Sequence, residues 1–197
     1  MNLRIWKLGA DCNKDVNIRT SIDYFRSHFV AEPMLSDWCP PPIRIEGKSK
    51  RLRDFVSWMN SAPVVSEKGR QALEPLLSGH CELLPLIELR GKPYYALNVL
   101  TKVDCLDHAN SQILYANDDP MHILRIKSYG FNEDQVPPDI PIFKIPDDVG
   151  SVFVTRTFVD AVIASELRGA SFEDPRSDPF GKIARGEPLN VVPGLSQ

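Results

Sequence analysis

The sequence lacks the long apolar run that a membrane span needs. Its longest stretch without a charged residue, 55–66, has twelve residues, whereas a spanning helix needs about 20. No apolar run follows the charges at Arg4 and Lys7, so the N-terminus is not typical of a secretory signal. We therefore expect a cytoplasmic protein with no membrane association.

Cysteine and glycine patterns that indicate metal or nucleotide sites are also missing. The four cysteines stand at positions 12, 39, 81 and 105 without a Cys-x-x-Cys pair, so a zinc site built from them is not expected. Without a secretory signal, four reduced thiols are expected. The glycines are isolated, and neither a phosphate loop nor a Gly-x-Ser-x-Gly motif is present. The sequence therefore predicts no metal and no cofactor.

What the chain has is an ordinary globular composition with an uneven charge distribution. It has 197 residues, 43% of them hydrophobic and 25% charged, which is typical of one domain, or of one domain with an appendage. The net charge of -3 is too small to indicate a nucleic-acid binder. Residues 104–148, however, contain nine acids and three bases.

That acidic stretch has two interpretations. A run of like charges is usually a solvated face. The alternative is a surface that meets a basic partner protein. On the second interpretation we predict that four residues bind the partner: Asp118, Asp119, Glu133 and Asp134.

The hydrophobic periodicity predicts an α+β fold, with a mainly antiparallel sheet packed against two principal helices. One helix is expected over Glu67–Leu77, capped by Ser66 and followed by a stop at Gly79. The other is expected after Thr155 and closed by Gly169. Strands are expected at residues 3–8, 64–66, 81–89, 93–100, 111–116, 121–126, 140–145 and 151–155. The strand at 140–145 is expected at a sheet edge, where its proline is tolerated.

The composition suggests a division into three parts. Residues 1–54 are expected to supply a strand, a short helix built on Ile22, Phe25 and Phe29, and a proline-rich connector, all packed on the main domain. Residues 55–173 form the α+β core. Residues 174–197, rich in proline and glycine, form either a poorly ordered tail or an extended arm docked on the domain.

Blocks of residues between about 55 and 175 resemble one known family. They are, in chain order, Pro63-Val64-Val65-Ser66-Glu67 with Ala72-Leu73-Glu74, Leu83-Leu84-Pro85, Tyr94-Tyr95-Ala96-Leu97-Asn98-Val99 with Asp104-Cys105-Leu106-Asp107 and Ser111, and Val152-Phe153-Val154-Thr155 with Phe158, Leu167-Arg168-Gly169 and Phe172. Their order and spacing are similar to immunity family eleven of bacterial polymorphic toxin systems.

The resemblance implies a cytoplasmic α+β protein that is encoded beside a toxin and neutralises it by binding. It supplies no catalytic residues. Thr155 stands where that family is expected to have serine, a change that keeps the capping hydroxyl. Three polar residues belong to the blocks: Asn98, Asp104 and Asp107. Either they make local bonds to the backbone, or they belong to a partner-facing or ligand site.

An enzyme remains the alternative. Cys105 lies close to His108 in sequence, and Cys81 follows His80, so a small Cys-His hydrolase is conceivable. Such a nucleophile needs its thiol within hydrogen-bond reach of an imidazole, and sequence neighbours rarely meet that geometry. A regulatory inhibitor of another cellular enzyme is a further alternative. The main prediction is a toxin-binding immunity protein without catalysis.

Overall fold

The computed structural model describes residues 4–10, 15–20, 28–46, 51–58, 62–116 and 119–177. Within these ranges the chain forms twelve strands and two α-helices. The strands are β1 (Trp6–Ala10), β2 (Asn17–Arg19), β3 (Arg44–Glu46), β4 (Phe55–Trp58), β5 (Val64–Ser66), β6 (Cys81–Pro85), β7 (Tyr94–Val99), β8 (Gln112–Ala116), β9 (Asp119–Ser128), β10 (Ile142–Ile145), β11 (Asp148–Val154) and β12 (Ala170–Glu173). The helices are α1 (Glu67–Leu77) and α2 (Arg156–Ala164).

Two larger sheets and one hairpin hold these strands, and the predicted antiparallel α+β class is confirmed. The four-stranded sheet has the order β10-β11-β1-β12 and is antiparallel throughout. The six-stranded sheet has the order β3-β2-β4-β5-β7-β6, and its one parallel pair is β2 with β4. Strand β1 therefore lies between β11 and β12, two strands that begin more than 130 residues after it in the sequence.

Three apolar clusters pack on the faces of these sheets. The first joins both helices, through residues such as Leu73 and Phe158, to one face of each larger sheet. The second lies on the other face of the six-stranded sheet, and the third on the other face of the four-stranded sheet. Strand β11 shows the alternation that causes this arrangement, because Val152 and Val154 face the first cluster while Phe153 faces the third.

The β8–β9 hairpin covers the third cluster. Its inward residues Ile113, Ile123 and Ile126 pack there. Among the described residues, β8 and β9 pair only with each other. The hairpin was expected from the sequence, and β9 is longer than predicted, because it continues to Ser128.

Helix α1 begins as the sequence predicts. The backbone N–H of Gly69 donates to the Ser66 hydroxyl oxygen at 3.1 Å, which satisfies one of the free donors of the first turn. The Ser66 hydroxyl in turn donates to the Asp54 carboxylate at 2.8 Å. The helix ends at Leu77, as predicted, and Gly79 follows with a φ of 81°, the left-handed conformation that glycine favours after a helix.

Helix α2 departs from the prediction at both ends. Thr155 occupies the N-cap position, but its hydroxyl makes no capping bond and instead donates to the carbonyl oxygen of Ile140 at 2.7 Å. The expectation that this hydroxyl caps the helix was wrong, because the buried carbonyl of Ile140 is its partner. The helix ends at Ala164, five residues before Gly169. Gly169 has φ +95, and a Cβ there would lie 2.6 Å from the Phe55 carbonyl oxygen, so it serves the close packing of its loop against β4.

The segment before β3 crosses both larger sheets. Residues 28–39, which we call the strap, contain a 3-10 turn at Leu35–Asp37. Trp38 packs on the second cluster from this segment. The short helix predicted around Ile22 and Phe25 lies largely outside the described residues.

Strand β10 occupies a sheet edge, as predicted, yet all four of its residues are buried. Residues 101–103 cover its outer edge. The Lys144 amide donates to the Thr101 carbonyl, and the Val103 amide donates to the Lys144 carbonyl, each at 2.9 Å. The edge is therefore protected by a loop rather than exposed to solvent.

Candidate partner-binding site

The four acids predicted to bind a partner do not form one compact patch. Asp118 lies outside the described residues. Asp119 begins β9, whereas Glu133 and Asp134 lie in a 3-10 turn beyond the other end of that strand. At about 3.3 Å per residue, β9 itself spans at most about 30 Å from end to end.

Two of these carboxylates already have partners within the chain. Asp119 Oδ2 accepts from His122 Nδ1 at 2.6 Å. Glu133 Oε1 accepts from Arg176 Nη2 at 2.7 Å. Asp134 is exposed. Glu133 and Asp134 are thus adjacent in one turn, while Asp119 stands alone near the tip of the hairpin.

The hairpin also presents apolar residues that the sequence-based search did not select. Leu114 is 47% exposed and Leu124 is 65% exposed. The register steps from Leu114 opposite Arg125 to Tyr115 opposite Ile123, so Leu124 is the extra residue of a β-bulge. Bulges redirect side chains and occur often beside binding sites.

A groove of about 420 Å³ runs beside this strand. Residues 123–127 of β9 form one wall, and Lys7, Glu173 and Asp174 contribute to the opposite side. Tyr129 lies between them and donates its hydroxyl proton to Asp148 at 2.6 Å. Burial and this neighbouring carboxylate raise the pKa of Tyr129.

Asn98 is fully buried and holds the strap against the six-stranded sheet. Its Nδ2 donates to the Glu32 carbonyl and to Glu82 Oε2, both at 2.8 Å. Glu82 accepts in addition from the backbone amides of Met34 and Leu35 at 2.9 and 3.2 Å. The Oδ1 atom of Asn98 is buried without a hydrogen-bond partner among the described residues. Asn98 therefore bonds to backbone, as one interpretation predicted, but to a distant segment rather than to its own strand.

Asp107 organises the loop that follows it. It accepts from the backbone amides of Ala109 and Asn110 at 3.0 and 3.1 Å and from the Asn110 side chain at 2.6 Å. These bonds, that of the Asn110 side chain foremost, lower the pKa of Asp107. This supports the local interpretation for Asp107. Asp104 is exposed. It lies two residues before Leu106, which pairs with Phe131 in an isolated β-bridge.

The cysteines do not have the environment of a nucleophile. Cys105 is buried, and this burial raises the pKa of its thiol to about 12, with further contributions from Asp104 and Asp147. His108 is directed to another group, since its Nε2 lies 3.1 Å from Asp147 Oδ1. Because the thiolate is the reactive form, Cys105 is inert at neutral pH.

The second cysteine–histidine pair is separated in the same way. Burial raises the pKa of Cys81 to about 12. The ring of His80 instead bonds the Thr101 hydroxyl through Nδ1 at 2.9 Å. The geometry that a Cys-His hydrolase requires is therefore not formed by either pair.

Lys144 is the feature that the sequence analysis missed most clearly. Its side chain is fully buried in β10, and its ammonium donates to the carbonyl oxygens of Phe29 and Val149, the latter at 2.6 Å. Burial lowers the pKa of Lys144 to about 8. The available signal was one charged residue inside an otherwise apolar strand, Ile-Phe-Lys-Ile.

The strap encloses a second pocket, of about 390 Å³. Phe29, Glu32, Asp37 and Trp38 contribute to its lining. The rings of Phe29 and Trp38 meet edge to face, with centroids 6.0 Å apart. Trp38 is held by its indole N–H, which donates to the Pro85 carbonyl at 2.7 Å.

Within the described ranges, no three His, Cys, Asp or Glu side chains are grouped so that they could hold a metal ion. No helix in those ranges is long and apolar enough to cross a membrane. Cys39, Cys81 and Cys105 are free thiols. Among the described residues, the surface of this α+β fold presents the β8–β9 hairpin, the groove beside β9, the strap pocket and several exposed acids.

Comparison with known families identifies the class of this scaffold. A model described as Immunity protein family (Imm11) matches residues 33–177. The chain therefore belongs to the Imm11 immunity protein family, and the expected resemblance is confirmed. The match begins in the strap, earlier than the stretch from about 55 on which the resemblance was recognised. No curated protein matches the chain significantly.

Proposed function

We propose that this chain is an immunity protein that binds a cognate bacterial toxin in the cytoplasm and neutralises it without catalysis. The observation that carries the proposal is the family match over residues 33–177, because an immunity family implies a toxin-neutralising protein. The raised thiol pKa values of Cys81 and Cys105 favour binding over a hydrolase mechanism, because both thiols stay protonated at neutral pH.

Part of this proposal concerns how the toxin is attracted. We assign Asp119, Glu133 and Asp134 to the partner-facing surface, together with Asp118, which lies outside the described residues. Toxins that act on nucleic acids tend to be basic, and exposed acids accelerate the encounter with a basic protein. Because Asp119 begins β9 and the turn at Glu133 follows its other end, each end of β9 is tested separately.

The function is tested with the toxin encoded by the adjacent reading frame. Co-expression with this chain should restore growth, and the two proteins should co-purify. Protection requires a dissociation constant in the nanomolar range or below, about -12 kcal/mol or stronger. If the chain neither restores growth nor co-purifies with that toxin, the proposed function is wrong.

The steering role is tested by stopped-flow association at low and high salt. Asp119→Asn and the pair Glu133→Gln with Asp134→Asn should each slow association at low salt, and the difference should shrink as salt screens the charges. If the association rates equal those of the wild type at every salt concentration, these acids do not steer the toxin and are only a solvated face.

A further inference from the structure

The strap is held in a strained conformation that its surroundings impose. Phe29 and Ala31 have φ values of 60° and 63°, a region that bulky residues rarely adopt. Such backbone outliers persist only where neighbouring groups fix them, and they cluster at binding and switch sites.

Four tethers fix this conformation, and they come from three strands. Lys144 of β10 donates to the Phe29 carbonyl, and Asn98 of β7 donates to the Glu32 carbonyl. From β6, Glu82 accepts from two strap amides, and the Pro85 carbonyl accepts from the Trp38 indole. Two of the tethering side chains, Lys144 and Asn98, are fully buried.

These tethers shape the strap pocket, whose lining has a definite chemistry. Two acidic residues, Glu32 and Asp37, contribute to the lining of a space of about 390 Å³, together with Phe29, Trp38 and His28. No lysine or arginine is among the described residues that line it. Glu32 also contacts Lys102, at 3.0 Å, but its side chain remains 67% exposed.

Carboxylates beside an indole ring are the partners that a cationic side chain prefers. A guanidinium or ammonium group is attracted to the face of tryptophan, and it makes charge-assisted hydrogen bonds to carboxylates. A preformed pocket of this kind loses little conformational entropy on binding. Leu35, 53% exposed in the same strap, supplies an apolar contact next to it.

We propose that the strap pocket is the receptor for one lysine or arginine side chain of the toxin. This inference rests on the proposed function and specifies where the complex is anchored. Interfaces are typically held by a few such residues, with arginine prominent among them, seated in preformed pockets. The acids at Asp119 and Glu133 then steer the encounter, while the strap pocket sets the lifetime of the complex.

The test compares two matched double variants. Glu32→Gln with Asp37→Asn removes both carboxylates of the pocket. Glu133→Gln with Asp134→Asn is the control, because each pair contains one acid that contacts a surface cation and one exposed acid in a 3-10 turn. Neither pair includes a tether of the strap, and circular dichroism verifies the fold.

Binding of the toxin domain encoded by the adjacent reading frame is then followed by surface plasmon resonance. The pocket pair should raise the dissociation rate about 10-fold or more, whereas the control pair should alter mainly the association rate. A double-mutant cycle of Asp37→Asn against alanine substitutions of the toxin's lysines and arginines should give coupling to one cation.

Each remaining outcome has a distinct meaning. If the wild type binds and the pocket pair leaves the dissociation rate unchanged, the receptor proposal is overturned while the proposed function stands. The same holds if both pairs raise the dissociation rate equally, since that indicates only long-range attraction. If the wild type does not bind the toxin domain at all, the proposed function fails and the receptor proposal fails with it.

Discussion

Asn98 and Glu82 face each other across the β6–β7 pair, with Asn98 Nδ2 2.8 Å from Glu82 Oε2. The amide orients a carboxylate whose two oxygens then receive the backbone amides of Met34 and Leu35. One buried contact between neighbouring strands thereby fixes a segment that lies more than 45 residues earlier in the chain.

The first prediction concerns this contact. Asn98→Ala should lower the free energy of unfolding by about 2 to 3 kcal/mol, because a bond to a charged group and a bond to the Glu32 carbonyl are both lost in the interior. Urea unfolding measures the loss, and hydrogen exchange at Met34 and Leu35 should become faster. Asn132→Ala, at an exposed asparagine, is the control; equal stability of the two variants would contradict the prediction.

Lys144 makes stability depend on pH. Its folded pKa of about 8 lies below the ordinary value of 10.5, so the folded state binds fewer protons than the unfolded state between these values. Stability contributed by this group therefore rises with pH through that window, by about 1 kcal/mol from pH 8 to pH 9. The raised pKa values of Cys81 and Cys105 already act in the opposite direction from about pH 8 upward. Their ordinary value is 9.0, so the unfolded state loses protons there that the folded state retains.

The measurement is urea unfolding at half-unit steps from pH 7.5 to 9. The stability difference between wild type and Lys144→Met should grow by about 1 kcal/mol from pH 8 to 9, and Lys144→Met should be less stable throughout, because the carbonyls of Phe29 and Val149 lose their donor. Lys127→Met, at an exposed lysine, should follow the wild-type profile. A Lys144→Met profile parallel to that of the wild type would show that another group is responsible.

Cys105→Ala combined with His108→Ala should leave toxin protection intact. The two side chains face different partners, and the thiol is protonated at neutral pH. A hydrolase that used them would lose several powers of ten in rate. The readout is growth with the co-expressed toxin, together with a thermal melt of the purified variant. A folded double variant that no longer protects would revive the enzyme hypothesis.

Shortening the chain should lower its stability only when residues before the end of Ser177 are removed. Pro175 is buried, its carbonyl accepts from the Tyr129 amide at 3.0 Å, and the Arg176 carbonyl accepts from the Ser128 hydroxyl at 2.7 Å. A chain ending at Glu173 should therefore melt about 4 to 8 °C below one ending at Ser177, which corresponds to about 2 kcal/mol.

The chain ending at Ser177 should melt within about 8 °C of the full chain. A larger fall would show that residues 178–197 dock as an arm. Differential scanning calorimetry of the three chains distinguishes these results. The division of the chain at residues 54 and 173 into three parts stays a prediction.

Elements made by neighbouring residues were predictable. Ser66 caps α1 through a contact three residues away, and the β6–β7 hairpin closes through mutual backbone bonds of Leu89 and Lys92. Within the described part of the chain, the bonds of the Asp107 side chain likewise go to Ala109 and Asn110, which follow it within one turn. In each case the sequence spacing places donor and acceptor together whatever the rest of the chain does.

Side chains whose partners are distant were not predictable in the same way. Thr155 fits a cap by sequence, but folding brings the Ile140 carbonyl to its hydroxyl and the cap bond is not made. Asp119 and the pair Glu133 and Asp134 are close in sequence, yet the length of β9 lies between them. Local spacing predicts local bonds, whereas an intervening strand can separate residues that are near in sequence.

The sequence by itself determined the α+β class, the capped start of α1, the hairpins and the family, because all of these depend on residue types and their spacing along the chain. The position and conformation of the strap were determined only by the tertiary structure. Phe29 meets Lys144 across 115 residues and Glu32 meets Asn98 across 66. No periodicity along the chain encodes such contacts, since the free energy of burying Lys144 and Asn98 depends on which carbonyls the fold brings within reach of their donors.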